Sequence, residues 1–593
     1  MAEEINVDLS EIFSGIDDPK IDKSFDKLKS LVSKLSTKHL GKIRGYNAKQ
    51  LLELFQEYEH YLAKNEDLRV FINMTYYSNM LVEESQALHN KYNTIANDNR
   101  KKLTFIRLEV TELIAKNQDM IKDPILSSYK NLLTVYCNFA PHVLTEVEEQ
   151  LIIEKDQFGV NAWAQLQSKW AGSRECEFEI DDKKIKFHAG ELRKYLTSTN
   201  REIRKRALAA SLEETNKYSE IYSFAIRSIF NDWITISKRR NYASPLESSL
   251  KTNEINKVIL DSMFDSIDKN VHLYQKTLKI FAKLLKLPKI ASYDFSAPLP
   301  DLPVKKYSWE DAKELILEAF SKFDDDFVAA AKKMFDKKHI DATPRKGKAP
   351  GAWCARWYKG KSSFIHQTFD ETKGSVFTLA HELGHAIHDY LAIPNQTIMN
   401  SWGTPGTAES ASFFGELLLI DLLLEKAETK EEKIEILLDL VKRIGHIIWG
   451  LTAMYKFETK LYEAIENGDY LDSKTISNLW TRERNVIYGE TVEWMENSQM
   501  SWATVPHYYM PNFRYYNYPY IFAQLFVYAL YQQYEKEKEQ FIPKFKKLLA
   551  AGGSLSPKEL GEIVGLDLTK PEFWELGINQ FKYFLNELEK LLD

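Results

Sequence analysis

The sequence predicts a mainly α-helical fold, and three observations carry that prediction. From about Lys23 to Gln167, apolar residues recur at spacings of three and four with few Gly or Pro, the period of an amphipathic helix. The helical pattern resumes at about Gly190 and again before about Lys338. Strand signals occur in only two short stretches, one near residue 180 and one near residue 360.

In chain order, Met1-Ala2-Glu3-Glu4-Ile5 is acidic and has no apolar h-region, so no signal peptide is expected. The stretch to Gln167 reads as antiparallel helices, with Tyr76 and Tyr77 as packing residues. Glu177-Phe178-Glu179-Ile180 and Lys183-Lys184-Ile185-Lys186-Phe187 alternate either side of Asp181-Asp182, which predicts a two-strand hairpin. A boundary is placed near residue 190, giving an N-terminal helical lobe over 1–190 and a second region over 191–593. The basic run Asn200 to Arg206 lies on an expected helix and reads as a solvated or salt-bridged face. Pro288, Pro298, Pro300 and Pro303 mark a long connection between Lys286 and Val304. Gly351 to Asp370 reads as extended, with Trp353, Trp357, Phe364 and Ile365 among small and polar residues. A helix over 376–391 follows, with Ser375 as its expected cap. Leu379, Leu383, Ile387 and Leu391 recur every four residues along it and predict a buried stripe.

Composition limits the function classes. A hydrophobic fraction of 44% and a charged fraction of 28% are those of a soluble globular protein. The net charge of -6 over 593 residues argues against a general affinity for nucleic acid or anionic membrane. Apolar runs such as Leu417 to Leu424, with Asp421 inside, are too short or interrupted to span a bilayer. Cys137, Cys176 and Cys354 form no CxxC pair and read as buried free thiols, which suits a reducing, cytoplasmic compartment.

The chemistry centres on His381-Glu382-Leu383-Gly384-His385. On a helix, His381 and His385 lie one turn apart on one face and can share one metal ion. Glu382 sits about 100° round the helix from His381, beside that ion rather than bound to it. Downstream, Trp402 to Ala411 reads as a turn and a helix start, with Thr404 as N-cap and Pro405 in the first helical position. Glu409 then projects from the first turn and Glu416 lies two turns on. One carboxylate can be the third ligand, for which Glu409 is favoured, and the other can orient a ligand imidazole. His388 reads as a supporting or core histidine rather than a ligand. Two imidazoles, a carboxylate and one open position suit zinc. The ion would bring bound water's pKa towards about 7 and polarise the scissile carbonyl. Glu382 would take the water proton and pass it to the leaving amine. Oxyanion donors have a candidate source in His507 and the run Tyr515 to Tyr520, which on composition alone reads as an aromatic core segment.

Together these motifs resemble oligoendopeptidase F, within the thimet-oligopeptidase-like (M3) metallopeptidases. Thr378 to His388 match the TLxHExGHxxH-type helix. Ala408 to Glu416 match AExxSxxxE if Ser412 takes the serine position. His507 and Tyr515 to Tyr520 match the histidine and tyrosine-rich stretch, and Tyr488-Gly489, Trp502 and Ala551-Gly552-Gly553-Ser554 with Pro557 add to the likeness. The resemblance runs from roughly Cys176 to the end and, more weakly, through the N-terminal helices.

The resemblance implies a large two-lobed helical shell around a deep channel, with a small β-sheet next to the zinc helix. It makes 191–593 the catalytic region and implies cleavage of internal bonds in short peptides. One Zn2+ per chain is implied on His381, His385 and Glu409, with Glu382 as catalytic base. His507, Tyr515 and Tyr518 would stabilise the transition state, with Tyr516 as the alternative to Tyr515. Ala523 stands where relatives often have a glycine. The segment around Gly351-Ala352-Trp353 would offer a strand edge that reads peptide backbone more than side chains, which predicts broad specificity.

Two other readings compete. An exopeptidase on the same scaffold needs a basic group for the substrate's C-terminal carboxylate, and Arg514 is the nearest candidate in sequence, although it reads first as a surface residue. A non-catalytic peptide-binding protein would not need Glu382. An aminopeptidase lacks support, since no GxMEN-like motif is present.

Overall fold

A computed structural model describes residues 4–299 and 305–593, and within them helices dominate. Pro300, Pro303 and Val304 of the expected connection lie outside the described residues, while Pro288 and Pro298 fall in non-helical segments. Among the described residues the sheets are small: two of two strands and one of three. No helix among the described residues is long and apolar enough to cross a membrane.

Contacts group the chain into two compact units. One gathers Met1–Ala140, Val304–Lys426 and Leu530–Leu568; the other gathers Pro141–Pro303, Ala427–Ala529 and Thr569–Asp593. This grouping follows contact rather than chain order, so it is a different kind of division from the expected one at residue 190.

The first unit is built on three N-terminal helices, Lys20–His39, Ala48–Ser78 and Glu83–Lys116. Asn47 and Gln50 start the second of them with a reciprocal capping box. Their apolar stripes bury Phe25, Leu28, Val32, Leu54, Phe55, Phe71, Val110 and Leu113 in one core. Each such side chain contributes roughly 1.5–3 kcal/mol on burial. The extended stretch expected at 351–370 forms strands Trp353–Trp357 and Ser362–His366, paired antiparallel with Trp353 opposite His366. Ser362–His366 is the central strand, flanked on its other side by the parallel pair Ile340–Asp341, so Trp353–Trp357 is an edge. The helix Ala48–Ser78 anchors that edge. Trp357 packs with Val70 and Met74, its Nε1 donates to Asp67 at 2.9 Å, and the Tyr358 amide donates to Glu66 at 2.6 Å.

In the second unit the expected hairpin appears as Glu175–Ile180 and Lys183–His188. Asp181 and Asp182 both take positive φ, 49° and 58°, as a two-residue turn of the primed type requires. The basic run at 200–206 is salt-bridged: Arg201 and Arg204 converge on buried Asp294 at 2.8 and 2.9 Å. All three cysteines are free; Cys176 is buried, whereas Cys137 and Cys354 are half-buried.

Candidate metal centre

The histidine pentad lies on the helix Lys373–Ala392. Its cap is Thr372, whose hydroxyl accepts from the Ser375 amide at 3.2 Å, so the helix starts ahead of Ser375. The correction has a simple cause: the capping hydroxyl belongs three residues before the amide it satisfies, and Ser375 supplies that amide. Leu379, Leu383, Ile387 and Leu391 are all buried, which fixes the helix rotation and turns His381 and His385 to one side. Their rings lie 4.9 Å apart, nearly perpendicular.

Glu409 arrives from a second helix pair. Pro405–Ala408 is a short turn of helix preceded by Thr404, and Ser410–Lys426 is the long one. Glu409 therefore sits at the joint between them rather than in a first turn. The Thr404 side chain makes no capping bond and meets Thr407 Oγ1 at 3.1 Å. Glu409 Oε2 lies 3.3 Å from His381 Nε2 and 3.5 Å from His385 Nε2. One ligand atom from each of these three residues falls within a group spanning 4.8 Å. Ser412 donates to the same Glu409 oxygen at 2.7 Å. Glu416 accepts from His381 Nδ1 at 2.8 Å, which leaves His381 Nε2 turned towards Glu409.

Gly384 makes this meeting of helices possible. A Cβ there would fall 2.4 Å from Ser412 Cα and 2.6 Å from the Ala411 carbonyl oxygen. Sequence reasoning included Gly384 in the pentad but gave it no role; an isolated glycine inside a helical pattern was the available signal. Trp402, also given no role, lies with its ring 6.4 Å from that of His385 and is 47% exposed.

The electrostatics divide the residues by task. Burial pushes the Glu382 carboxyl up to about 7, with Glu409 and Glu416 adding to the shift and His381 opposing it. Glu382 Oε2 is buried and has no hydrogen-bond partner in the protein. Burial, reinforced by the charge of His381, lowers His385 to about 3, keeping it in the neutral form a metal needs. Burial also disfavours charge on His381, but the Glu416 hydrogen bond and the surrounding carboxylates outweigh it and raise its pKa to about 9. His388 is half-buried, and burial lowers it to about 4.

The downstream candidates lie in the other compact unit. His507 Nδ1 hydrogen-bonds Asn517 Oδ1 at 2.8 Å, and its ring meets those of Tyr516, 5.0 Å away, and Tyr520, 6.3 Å away. Tyr515 and Tyr518 are buried. Tyr515 has φ +55° and packs on Tyr455 and Tyr462, while its amide donates to Glu458 at 2.8 Å. The Tyr518 hydroxyl is shared with Ser249 and Asn253, each at 3.1 Å. Arg514, read first as a surface residue, is 4% exposed and donates to the Tyr508 and Met510 carbonyls. Its correction follows from packing: a tyrosine-rich loop needs its carbonyls satisfied, and the guanidinium serves them.

Comparison with known proteins adds an independent line. The family model described as peptidase family M3 matches residues 194–580. Oligopeptidase PepF of Bacillus subtilis (strain 168) is 24% identical over 592 residues, covering 98% of this chain and 87% of the relative. An oligoendopeptidase F homolog of Borreliella burgdorferi is 26% identical over 479 residues, 80% of each chain. Among solved structures, oligoendopeptidase-F from Enterococcus faecium superposes with a TM-score of 0.71 at 21% identity, covering 97% of this chain and 99% of its own. A chain from Chlamydophila abortus, described as a candidate peptidase, gives 0.87 at 21% identity, covering 99% and 98%. At these identities the structural likeness speaks to the fold.

Proposed function

The chain belongs to peptidase family M3, and on that premise we propose that it is a zinc-dependent endopeptidase acting on internal bonds of short oligopeptides. The observation that carries this reading is the convergence of His381, His385 and Glu409 beside a buried, partnerless Glu382 oxygen. Two imidazole nitrogens and one carboxylate oxygen are a donor set that zinc accepts, with a position left open. Zinc, when bound, supplies a Lewis acid that polarises the scissile carbonyl and acidifies water.

The chain's own residues supply the rest. His381 and His385 offer Nε2, Glu409 offers Oε2, and Ser412 and Glu416 hold two of those three groups in orientation. A Glu382 carboxyl near pH 7 suits a group that accepts a proton from water and returns it to the leaving amine. For transition-state donors, the resemblance points to His507 and the tyrosine-rich stretch. The company of His507 supports Tyr516 over Tyr515, and Tyr518 would have to release Ser249 and Asn253 to donate. The endopeptidase reading draws on the oligoendopeptidase relatives and on the edge strand Trp353–Trp357. A catalytic region over 191–593 and a cytoplasmic site of action belong to the same reading. The exopeptidase alternative is weakened at Arg514, which is buried and turns Nη1 and Nη2 to backbone carbonyls.

The test is a doubly blocked, internally quenched peptide, read by mass spectrometry with and without a chelator. Internal cuts that vanish with chelator and return with zinc are expected. Glu382→Gln should retain zinc and peptide binding but lose at least about a hundredfold in kcat. Unchanged turnover in that variant would overturn the mechanism.

A further inference from the structure

Arg356 lies on the edge strand Trp353–Trp357, where it sits opposite Ser363 of the central strand, and its side chain is 17% exposed. Its Nε and Nη1 are buried without a partner. Two carboxylates are near, and neither hydrogen-bonds Nε or Nη1. Glu66 forms an ion pair with Nε at 3.5 Å and shares its oxygens with the Tyr358 amide at 2.6 Å and Arg69 at 3.4 Å. Asp389 accepts from Ser363 at 2.7 Å, and burial pushes its carboxyl up to about 7 against the pull of Arg356. The guanidinium stands 5.5 Å from the centre of the Trp402 ring, and that same exposed ring neighbours the His385 imidazole. Among the described residues no strand pairs with the outer side of Trp353–Trp357. Two guanidinium nitrogens without hydrogen-bond partners, next to a half-exposed indole one ring away from a candidate metal ligand, leave donor capacity for a further acceptor.

We propose that Arg356 and Trp402 form a subsite for a carboxylate of the bound peptide. The proposal rests on the peptidase reading and adds to it a charge preference that backbone recognition alone would not give. Arg356 would supply the charge-assisted hydrogen bonds, and Trp402 an apolar wall for the methylene groups next to the carboxylate. The carboxylate has two possible sources, an acidic side chain or the peptide's C-terminus.

Two peptide series separate the sources. In the first, both ends are blocked and Glu replaces Gln at successive positions. In the second, one sequence carries a C-terminal acid or amide. The readout is the acid-to-neutral ratio of kcat/KM within each protein variant, so variants of unequal overall activity remain comparable. The wild type should prefer the acid in one series by about tenfold. Arg356→Gln should bring that ratio to about one, and Arg356→Lys should keep part of it. No acid preference in either series, or a preference that survives Arg356→Gln, would overturn the subsite. The same peptides titrated by fluorescence anisotropy onto Glu382→Gln protein give the ratio as Kd values. The subsite is thus read even if cleavage, and with it the hydrolytic reading, fails.

Discussion

Ser412 donates its hydroxyl proton to the one Glu409 oxygen that lies nearest both imidazoles, and it does so at full burial. A carboxylate at a joint between two helices has rotamers to spare; a buried hydroxyl three residues on removes most of them. Ser412→Ala should therefore keep the fold and lower zinc affinity by about tenfold, the lower range for groups that orient a metal ligand. Competition against a calibrated chelator measures this without turnover, and an unchanged affinity would deny the hydroxyl its role. Much of this centre was legible in the sequence, because the pentad and Glu409 are local patterns with a geometric meaning. The different surroundings of Tyr515 and Tyr516 were not. Adjacent residues of one aromatic run look alike in sequence, and what separates them is backbone: Tyr515 at φ +55° turns into a pocket of Tyr455, Tyr462 and Glu458, while Tyr516 meets His507. Arg514 was misread for the related reason that a charged side chain carries no sign of the carbonyls it will serve.

At the scale of elements, the centre is a crossing of two helices, Lys373–Ala392 and Ser410–Lys426, and Gly384 sets how close they come. The hydrogen that glycine carries in place of Cβ leaves room for the Ser412 backbone, which cannot retreat as a side chain could. Gly384→Ala should destabilise the protein by about 1–3 kcal/mol through overpacking and weaken zinc binding, because Glu409 and Glu416 ride on the displaced segment. Gly374→Ala is the control: its Cβ would meet only the Thr372 hydroxyl at 3.6 Å, an ordinary contact, so stability there should hold or rise. Scanning calorimetry with a metal titration compares the two, and equal melting temperatures would remove Gly384 from the account. The helices themselves were readable from their stripes, and the 181–182 turn from its aspartates. The crossing was not, since a three-four period names the buried face of a helix but not the element that covers it.

At the scale of the molecule, the candidate metal centre rests on residues that sequence order puts far away. Its compact unit takes Met1–Ala140 as well as the pentad, and the N-terminal helices do more than flank it. Asp67 receives the Trp357 indole proton, Glu66 holds the Tyr358 amide, and Val70 and Met74 pack on the sheet that backs the pentad helix. Asn400, just before the Glu409 turn, donates to the Ser128 carbonyl, and Asn131 donates to the Gly553 carbonyl at 3.0 Å. The family match at 194–580 contains every residue of the centre but none of the N-terminal partners Glu66, Asp67, Val70, Met74, Ser128 and Asn131. A fragment of residues 191–593 would thus expose the apolar face of the edge strand and leave Trp357 and Asn400 without acceptors. It should lack cooperative unfolding and bind zinc far more weakly than the full chain, because a ligand set is only as rigid as the shell that locks it. Near-ultraviolet circular dichroism and a zinc titration on the two proteins test this. A fragment that melts cooperatively and matches the full chain's zinc affinity would mean that the first 190 residues serve something other than the metal centre.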